Sequence, residues 1–571
     1  NNNTTVSQNI AVGRSALGSN TTAANNTAVG YVALAANTTG AYNVAVGTNA
    51  LDANTTASFN NALGYSALTT NVTGTKNNAM GAYALYWNTG SSNVAMGDNA
   101  LANNSTASNN TAVGFESLKA NTTGTRNVSV GAYSLDANTT ASNNTAVGYQ
   151  ALTANTTGTR NVALGAYTLD AHTTANDNTG LGYAALSAVT TGTANTAVGA
   201  EALLSNTASN NTAVGNDALR ANTTGDYNVA VGSLALDACT TGSQNTGVGA
   251  DALSTLTTGV YNVAVGDDAL GAVTTSNRNT GIGLSAGREI TTGAFNTVLG
   301  SSAMGGATTI TGSDNIAIGS WHDGVIEGPL AAVSSGGLNT AIGNGCLRAL
   351  TTASHNHAIG YSALSAVTTG DGNVALGYQA GDVITTGTGN TAIGNMADCG
   401  GGAAVNRIAL GNQVNCASNN RISVGQGSQI ASLELNGSDT SWAASSDERL
   451  KENVVASTAG LSFINDLRPV TYNWKKAKDI PSDLPQYIEG SDDPCLGATY
   501  GTQLHGFIAQ EVKTVLDNHP EVKDGQGVWQ TDETSVQTLA PAALVPMLVK
   551  AIQEQQALIE SLTARIETLE G

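Results

Sequence analysis

Residues 26–47 read Asn26-Thr27-Ala28-Val29-Gly30, then twelve residues carrying Leu34 and Thr38-Thr39-Gly40, then Asn43-Val44-Ala45-Val46-Gly47. The closing glycine recurs 25 times, from Gly13 through Gly30, Gly47 and Gly64 to Gly411 and Gly425, most often 17 residues apart. The residue before it is always Val, Leu, Ile or Met, and the residue four after it is usually Leu, as at Leu34, Leu51, Leu68 and Leu152. Both are expected to face inward. Asn stands four before the glycine in all but two units, from Asn9 to Asn390, where stacked amides can hydrogen-bond along the stack. Apolar stretches this short, bounded by Asn, Thr and Gly, read as strands rather than helices, and Thr-Thr-Gly supplies a turn.

Self-similarity at a fixed period marks a repeat architecture, because each unit buries its apolar face only against its neighbours. One unit is one coil of a parallel β-solenoid or β-roll, and the stack over residues 1–425 predicts a mainly β shaft on the order of 120 Å long. Inward residues that are mostly Ala and Val bury little, so three chains packing through a shared face would complete the core. A homotrimer is expected. The Asn-x-Ala-Val-Gly units resemble the head repeats of trimeric autotransporter adhesins over roughly residues 9–425, although those repeats are shorter than 17 residues, which leaves handedness and strands per coil open.

Composition agrees with a thin core: 11% of residues are charged, 5% are aromatic, and Gly contributes 67. A net charge of −20 disfavours nucleic acid, which calls for a basic face. No apolar stretch is long enough to span a bilayer, and no membrane insertion is expected. The sequence opens Asn1-Asn2-Asn3 without an initiator Met, which suggests a fragment whose missing N-terminal part would join other proteins. Cys239, Cys346, Cys399, Cys416 and Cys495 show neither metal-ligand spacing nor His partners, so no metal and no cofactor are expected. Cys399 and Cys416 lie one period apart and should stack on adjacent coils, with free thiols preferred to a disulfide.

Two intervals break the rhythm. Gly300 to Gly319 takes 19 residues and Gly319 to Gly343 takes 24, so residues 320–342 carry an insertion with Trp321, His322 and Asp323. An insertion on a regular shaft projects sideways, where binding loops sit. The preferred reading is a strap that packs Trp321 on the shaft, and receptor contact through these three residues stays open beside it. Aromatics recur five residues before the glycine (Tyr42, Phe59, Tyr227, Tyr261, Phe295) and directly after it (Tyr31, Tyr65, Tyr149, Tyr183). Cross-coil stacking is preferred, with sugar binding the alternative.

After Gly425 the period stops. Residues 426–445 read as a connector and 446–571 as a small α+β domain, with a strand at Val470–Trp474, a helix at Ala509–Leu516 and a long helix after Pro546. Val545, Ile552, Ile559 and Ile566, with Leu548, Gln555, Leu562 and Leu569, keep heptad spacing and predict a coiled coil over 545–569. Three stretches resemble the endosialidase-type intramolecular chaperone that ends many phage tail spikes and tail fibres: Ser445-Ser446-Asp447-Glu448-Arg449-Leu450-Lys451-Glu452-Asn453-Val454, Leu467-Arg468-Pro469-Val470, and His505-Gly506-Phe507-Ile508-Ala509-Gln510-Glu511-Val512. That resemblance implies cleavage between Ser445 and Ser446, with Ser446 as nucleophile and Lys451 as general base. Ser-Lys pairs are a known variant of triad chemistry. His505 is a candidate for positioning the scissile carbonyl, and a core His bonded to backbone is the other reading. Without the flanking motifs, Ser446 or Asp447 would read as a helix N-cap.

Three functions compete. The first is the shaft of a viral tail fibre for host attachment, contacting a cell-surface receptor or glycan, assembled in the host cytoplasm, carried on the virion, and trimmed by one serine-type self-cleavage per chain. The second is a polysaccharide-degrading tail spike, which needs paired carboxylates about 5–10 Å apart; acidic residues in the shaft are sparse and scattered at turns, such as Asp52 and Asp136. A bacterial surface adhesin is a variant of the first, and an ice-binding solenoid is the third. The terminal chaperone favours the first.

Overall fold

The computed structural model describes residues 8–306, 309–321, 328–435, 443–444, 452–484, 486–496, 503–522, 527–531 and 537–571. The chain divides into two compact units, Asn1–Ser445 and Ser446–Gly571.

In the first unit, strands β1 (Ile10–Val12) through β25 (Arg421–Gln426) follow one another in chain order, and each pairs in parallel with the next. Equivalent residues stand opposite one another, as in Val44↔Asn61, Ala45↔Ala62 and Val46↔Leu63. The unit is a β-solenoid of coils about 17 residues long. Among its described residues there is no helix. Strands β18 (Thr297–Leu299), β19 (Ile316–Ile318) and β20 (Thr340–Ile342) keep the register through the two long intervals, so the added residues leave the strand column unbroken.

Each coil up to β23 (Thr391–Ile393) carries one three-residue strand, and the rest turns tightly. Leu34 (φ 51°), Val32 (φ 52°) and Tyr42 (φ 59°) adopt the left-handed conformation, and their equivalents do so in most coils. Each such residue costs about 1 kcal/mol or more. What offsets it is bonding along the stack: Val32 N–H donates to Arg14 O (3.0 Å), Leu34 N–H to Ala50 O (2.9 Å) and Tyr42 N–H to Ala24 O (3.3 Å). The strand-closing glycine has no alternative. At Gly30, φ is +140° and a Cβ would lie 2.5 Å from the Gly47 carbonyl oxygen.

The core is built from three columns: the middle strand residue, nearly always Ala, the Ala-Leu pair that follows the glycine, and buried Asn. The column that begins at Asn9 works as expected along the stack, but through the backbone. Asn43 N–H donates to Asn26 Oδ1 (2.9 Å), and Asn43 Nδ2 donates to Ala57 O (2.9 Å).

The residue before the glycine corrects the sequence reading. In strands such as Val44–Val46 only the middle residue is buried; Val46 and Val147 are half-buried and Val265 is exposed. Alternation along a strand sends neighbours to opposite faces, and the inside of so thin a coil, already holding Leu34 and Asn37, takes a small side chain at the middle position, Ala, Gly or Ser everywhere but at Val298.

The stretch read as a connector is instead a continuation of the sheet. β25 and β26 (Gln429–Glu434) form an antiparallel hairpin, and β27 (Ala443–Ala444) pairs with β26. Aromatics pair between coils: Tyr42 and Phe59 stack at 5.0 Å, and Arg278 lies between Tyr261 (5.4 Å) and Phe295 (5.3 Å). All five cysteines are free, four of them buried, and burial pushes the Cys399 thiol up to about 12.

The second unit holds helices α1 (Leu461–Asp466), α2 (Ala509–Asn518) and α3 (Val545–Glu570), with two small hairpins. Its core gathers Phe463, Leu467, Val512, Leu516, Val522, Val528 and Leu544.

Candidate functional site

The second and third motifs, 34 residues apart in sequence, meet in space. Strand β28 (Val470–Tyr472) pairs antiparallel with β29 (Leu504–Gly506), placing Val470 opposite Gly506 and Thr471 opposite His505. Just before β28, Arg468 makes a two-pronged bond to Glu511 in the first turn of α2, with Nε to Oε2 at 2.9 Å. Both side chains are largely exposed, so the pair fixes geometry more than it stabilises. Leu467 and Val512, from the same two motifs, are buried in one core. These motifs are therefore a hairpin-and-helix frame.

His505 is exposed on β29. This favours neither the buried backbone-bonded histidine nor a closed catalytic site within a single chain. Ser445, Ser446 and Lys451 lie outside the described residues, as do His322 and Asp323. Trp321 is exposed, and its N–H donates to Ser301 O (2.9 Å), which ties its backbone to the previous coil.

Two polar contacts that the sequence did not announce hold the frame. His519, buried beside Phe463, bonds Asp466 through Nε2 (2.8 Å) and Glu521 through Nδ1 (2.8 Å). Those bonds, Asp466 first, raise its pKa above the ordinary value. Glu554 of α3 accepts the Leu461 N–H at the start of α1 (2.7 Å), and that bond lowers its pKa. Partners 53 and 93 residues apart leave no local pattern to read.

Along most of its length α3 is unpartnered. Val545, Leu548, Ile552, Ile559, Leu562, Ile566 and Leu569, the heptad positions, are all exposed, with Ile552 64% accessible. Ala551 is its one buried residue. Among the described residues no group of three His, Cys, Asp or Glu could hold a metal ion, and no helix is long and apolar enough to cross a membrane.

A family model described as chaperone of endosialidase matches residues 446–520. Neither the curated proteins nor the solved structures hold a significant match to the chain. The match spans all three motifs and opens at Ser446, where the second compact unit also begins. A β-solenoid shaft of 17-residue coils followed by a chaperone-of-endosialidase domain fits a tail fibre or tail spike with an endosialidase-type chaperone.

Proposed function

We propose that the chain is the shaft of a viral tail fibre, assembled as a homotrimer by its C-terminal unit, which then cuts itself away between Ser445 and Ser446. The observation that carries this reading is the family match that opens at Ser446 directly after a repetitive shaft. The Ser446 hydroxyl is covalently adjacent to the bond it attacks. Lys451 takes the hydroxyl proton, for which it must first be neutral; from a reference pKa near 10.4 this needs burial or a cationic neighbour such as Arg449. Attack on the Ser445 carbonyl carbon gives an ester, the Ser446 amine leaves with the proton, and water hydrolyses the ester. Packing of three chains supplies the burial, so cleavage waits for assembly and happens once per chain. His505, exposed in the single chain, is free to meet the scissile carbonyl across that packing.

On the virion the shaft serves host attachment, with Trp321, His322 and Asp323 at the insertion and the aromatic rows as the surfaces offered to a receptor or its glycans. Expression of wild type, Ser446→Ala and Lys451→Ala tests the chemistry. Wild type should release a 126-residue fragment, residues 446–571, and both variants should stay full length on a denaturing gel. Release of that fragment by either variant at the wild-type rate would overturn the Ser-Lys assignment.

A further inference from the structure

The strand column presents a face that a lone chain has no use for. From β2 (Thr27–Val29) to β23 (Thr391–Ile393) the middle residue of every strand is buried, and the first and third residues point outward. A sheet with one solvated face ordinarily reads hydrophobic-in, polar-out. In the three-residue strands β1 to β23 the third residue is always Val, Leu, Ile or Met, and the first is Val, Ile or Thr except at Asn61, Asn78 and His357. In these 23 strands no Asp, Glu, Lys or Arg occupies either position, in a chain whose net charge is −20. The side chains are not shielded within the chain: Leu63 is 45% accessible, Met80 47% and Leu376 47%.

The face is large. Twenty-five rungs about 4.8 Å apart and two outward residues about 7 Å apart give an uncharged strip on the order of 800 Å², about half of it the unbroken apolar column of third residues and the rest mixed Val, Ile and Thr, still at the upper end of what a monomer leaves exposed. Near its start, Val44, Val46, Leu63, Met80, Val94 and Met96 line an open trough of about 410 Å³.

What covers it must match its period. Side chains at a constant rung spacing, held in register over 25 strands, are complementary to a surface with the same spacing, and another copy of this chain has it. A second feature calls independently for a copy: the exposed heptad seam of α3, with Ile552, Ile559, Leu562 and Ile566 unpartnered. Parallel pairing of that helix between copies would start every chain at the same residue, so equal rungs would face one another.

We infer that the first and third residues of the shaft strands form the contact between identical chains, rung against equal rung, with Val147 meeting Val147 and Val265 meeting Val265 of neighbouring copies. This rests on the homotrimer reading and adds to it the face and the register. It also gives the residue before each glycine its purpose: it is core, but core shared between chains.

Cysteine cross-linking of the full chain tests it. Val147→Cys and Val265→Cys place thiols on the face; Thr140→Cys places one at an exposed turn. After treatment with diamide, a thiol oxidant, a non-reducing denaturing gel should show covalently paired chains for both face variants. With Cys495, the one cysteine that is not buried, replaced by Ser in every form, it should show none for Thr140→Cys or for the chain with no added cysteine, whose shaft cysteines are buried. Light scattering on wild type separates the two levels of the claim. If wild type scatters as a multiple of its chain mass while both face variants stay single, copies associate through another surface and the inference is wrong. A wild type at the mass of one chain would overturn the homotrimer and this contact together. As a second measurement, Val147→Lys should lower the unfolding temperature of the assembled shaft and Thr140→Lys should not; equal behaviour counts against the face.

Discussion

Up to Asn222 the column seven residues after each glycine is made of amides, interrupted only by His172 and Val189, and from Cys239 to Ile384 it is apolar. In the first region Asn20, Asn37, Asn54, Asn71, Asn88, Asn104, Asn121, Asn138 and Asn155 stack as buried rungs. Each Nδ2 donates to a carbonyl two or three residues on, and from Asn37 onward also to the amide oxygen one coil below, as Asn121 does to Gly124 O (3.0 Å) and Asn104 Oδ1 (2.9 Å). In the second region Leu256, Val273, Ile290, Leu350, Val367 and Ile384 fill the same place. The backbone coil is unchanged. What changes is the other amide column: Asn245, Asn262, Asn296 and Asn390 now also donate to the amide oxygen one coil below, at 2.9–3.2 Å. In the first region Asn93 and Asn195 make such amide-to-amide bonds in that column. One coil geometry thus accepts two interior chemistries, and the amide version carries its cost at the ladder ends. Asn155 Oδ1 and Asn222 Oδ1 are buried without partners because His172 and Cys239, the next rungs, offer them no donor.

Exchanging residues between the regions should give the largest effect. Asn121→Leu removes the donor to Asn104 Oδ1 and the acceptor for Asn138 Nδ2. Leaving a buried acceptor unpaired should cost about 2–3 kcal/mol. Leu350→Asn can still reach the carbonyl three residues on, but its oxygen has no donor above or below, and the buried aliphatic group is lost; about 3–4 kcal/mol is expected. Hydrogen exchange of the amides around each site measures the local opening free energy. Losses below about 0.5 kcal/mol at both sites would mean that the two columns are interchangeable filler.

The sequence carried much of this. A fixed glycine period, short strands bounded by Asn and Thr, and an Asn column bonded along the stack were all readable, because repetition multiplies a weak local signal 25 times. Three things were not. Val46 and its equivalents were placed inside because that position is always Val, Leu, Ile or Met, yet alternation says only that it and Ala45 face opposite ways, and the space left by Leu34 decides which. The constant smallness of the middle residue was the available clue. The second amide column hides within Asn-Thr-Thr, where Asn reads as turn former. In the C-terminal unit the motif order was legible, but the meeting of Arg468 with Glu511 and of His519 with Asp466 depends on tertiary distance alone.

The two regions and the C-terminal unit should also part company with pH. His172 sits in the shaft ladder, buried, and burial lowers its pKa. The unfolded chain therefore binds the proton more readily, and this coil should lose stability as pH falls through about 6.5. For His519 the sign is opposite. Its pKa is raised by Asp466 and Glu521, so its contribution is complete below about 6.5 and fades as pH rises through the folded value. Exchange protection followed from pH 5 to 8 should weaken at the acid end near His172 and at the alkaline end near α1 and α2. A common direction would remove one of the two assignments.

The smallest effect is also the sharpest test of ladder continuity. His172 Nε2 donates to Ala175 O (2.8 Å), which leaves Nδ1 as an acceptor, buried and unpartnered, one rung above the unpartnered Asn155 Oδ1. His172→Asn keeps the bond to the Ala175 carbonyl and adds a donor for Asn155, reducing two orphan acceptors to one. It should stabilise the coil by about 1 kcal/mol and abolish the acid weakening. The remaining orphan would be the new amide oxygen, because Val189 follows. Val189→Asn alone should destabilise, since it exchanges a buried aliphatic group for an amide above an imidazole. Made together with His172→Asn, it would join the lower run to Asn206 and Asn222, and its cost should fall by about 1 kcal/mol or more. A double-mutant cycle read by hydrogen exchange measures that coupling directly. Additive costs would mean that each amide acts through its own coil alone, whereas a coupling of the stated sign would make the ladder a cooperative element along the first half of the shaft.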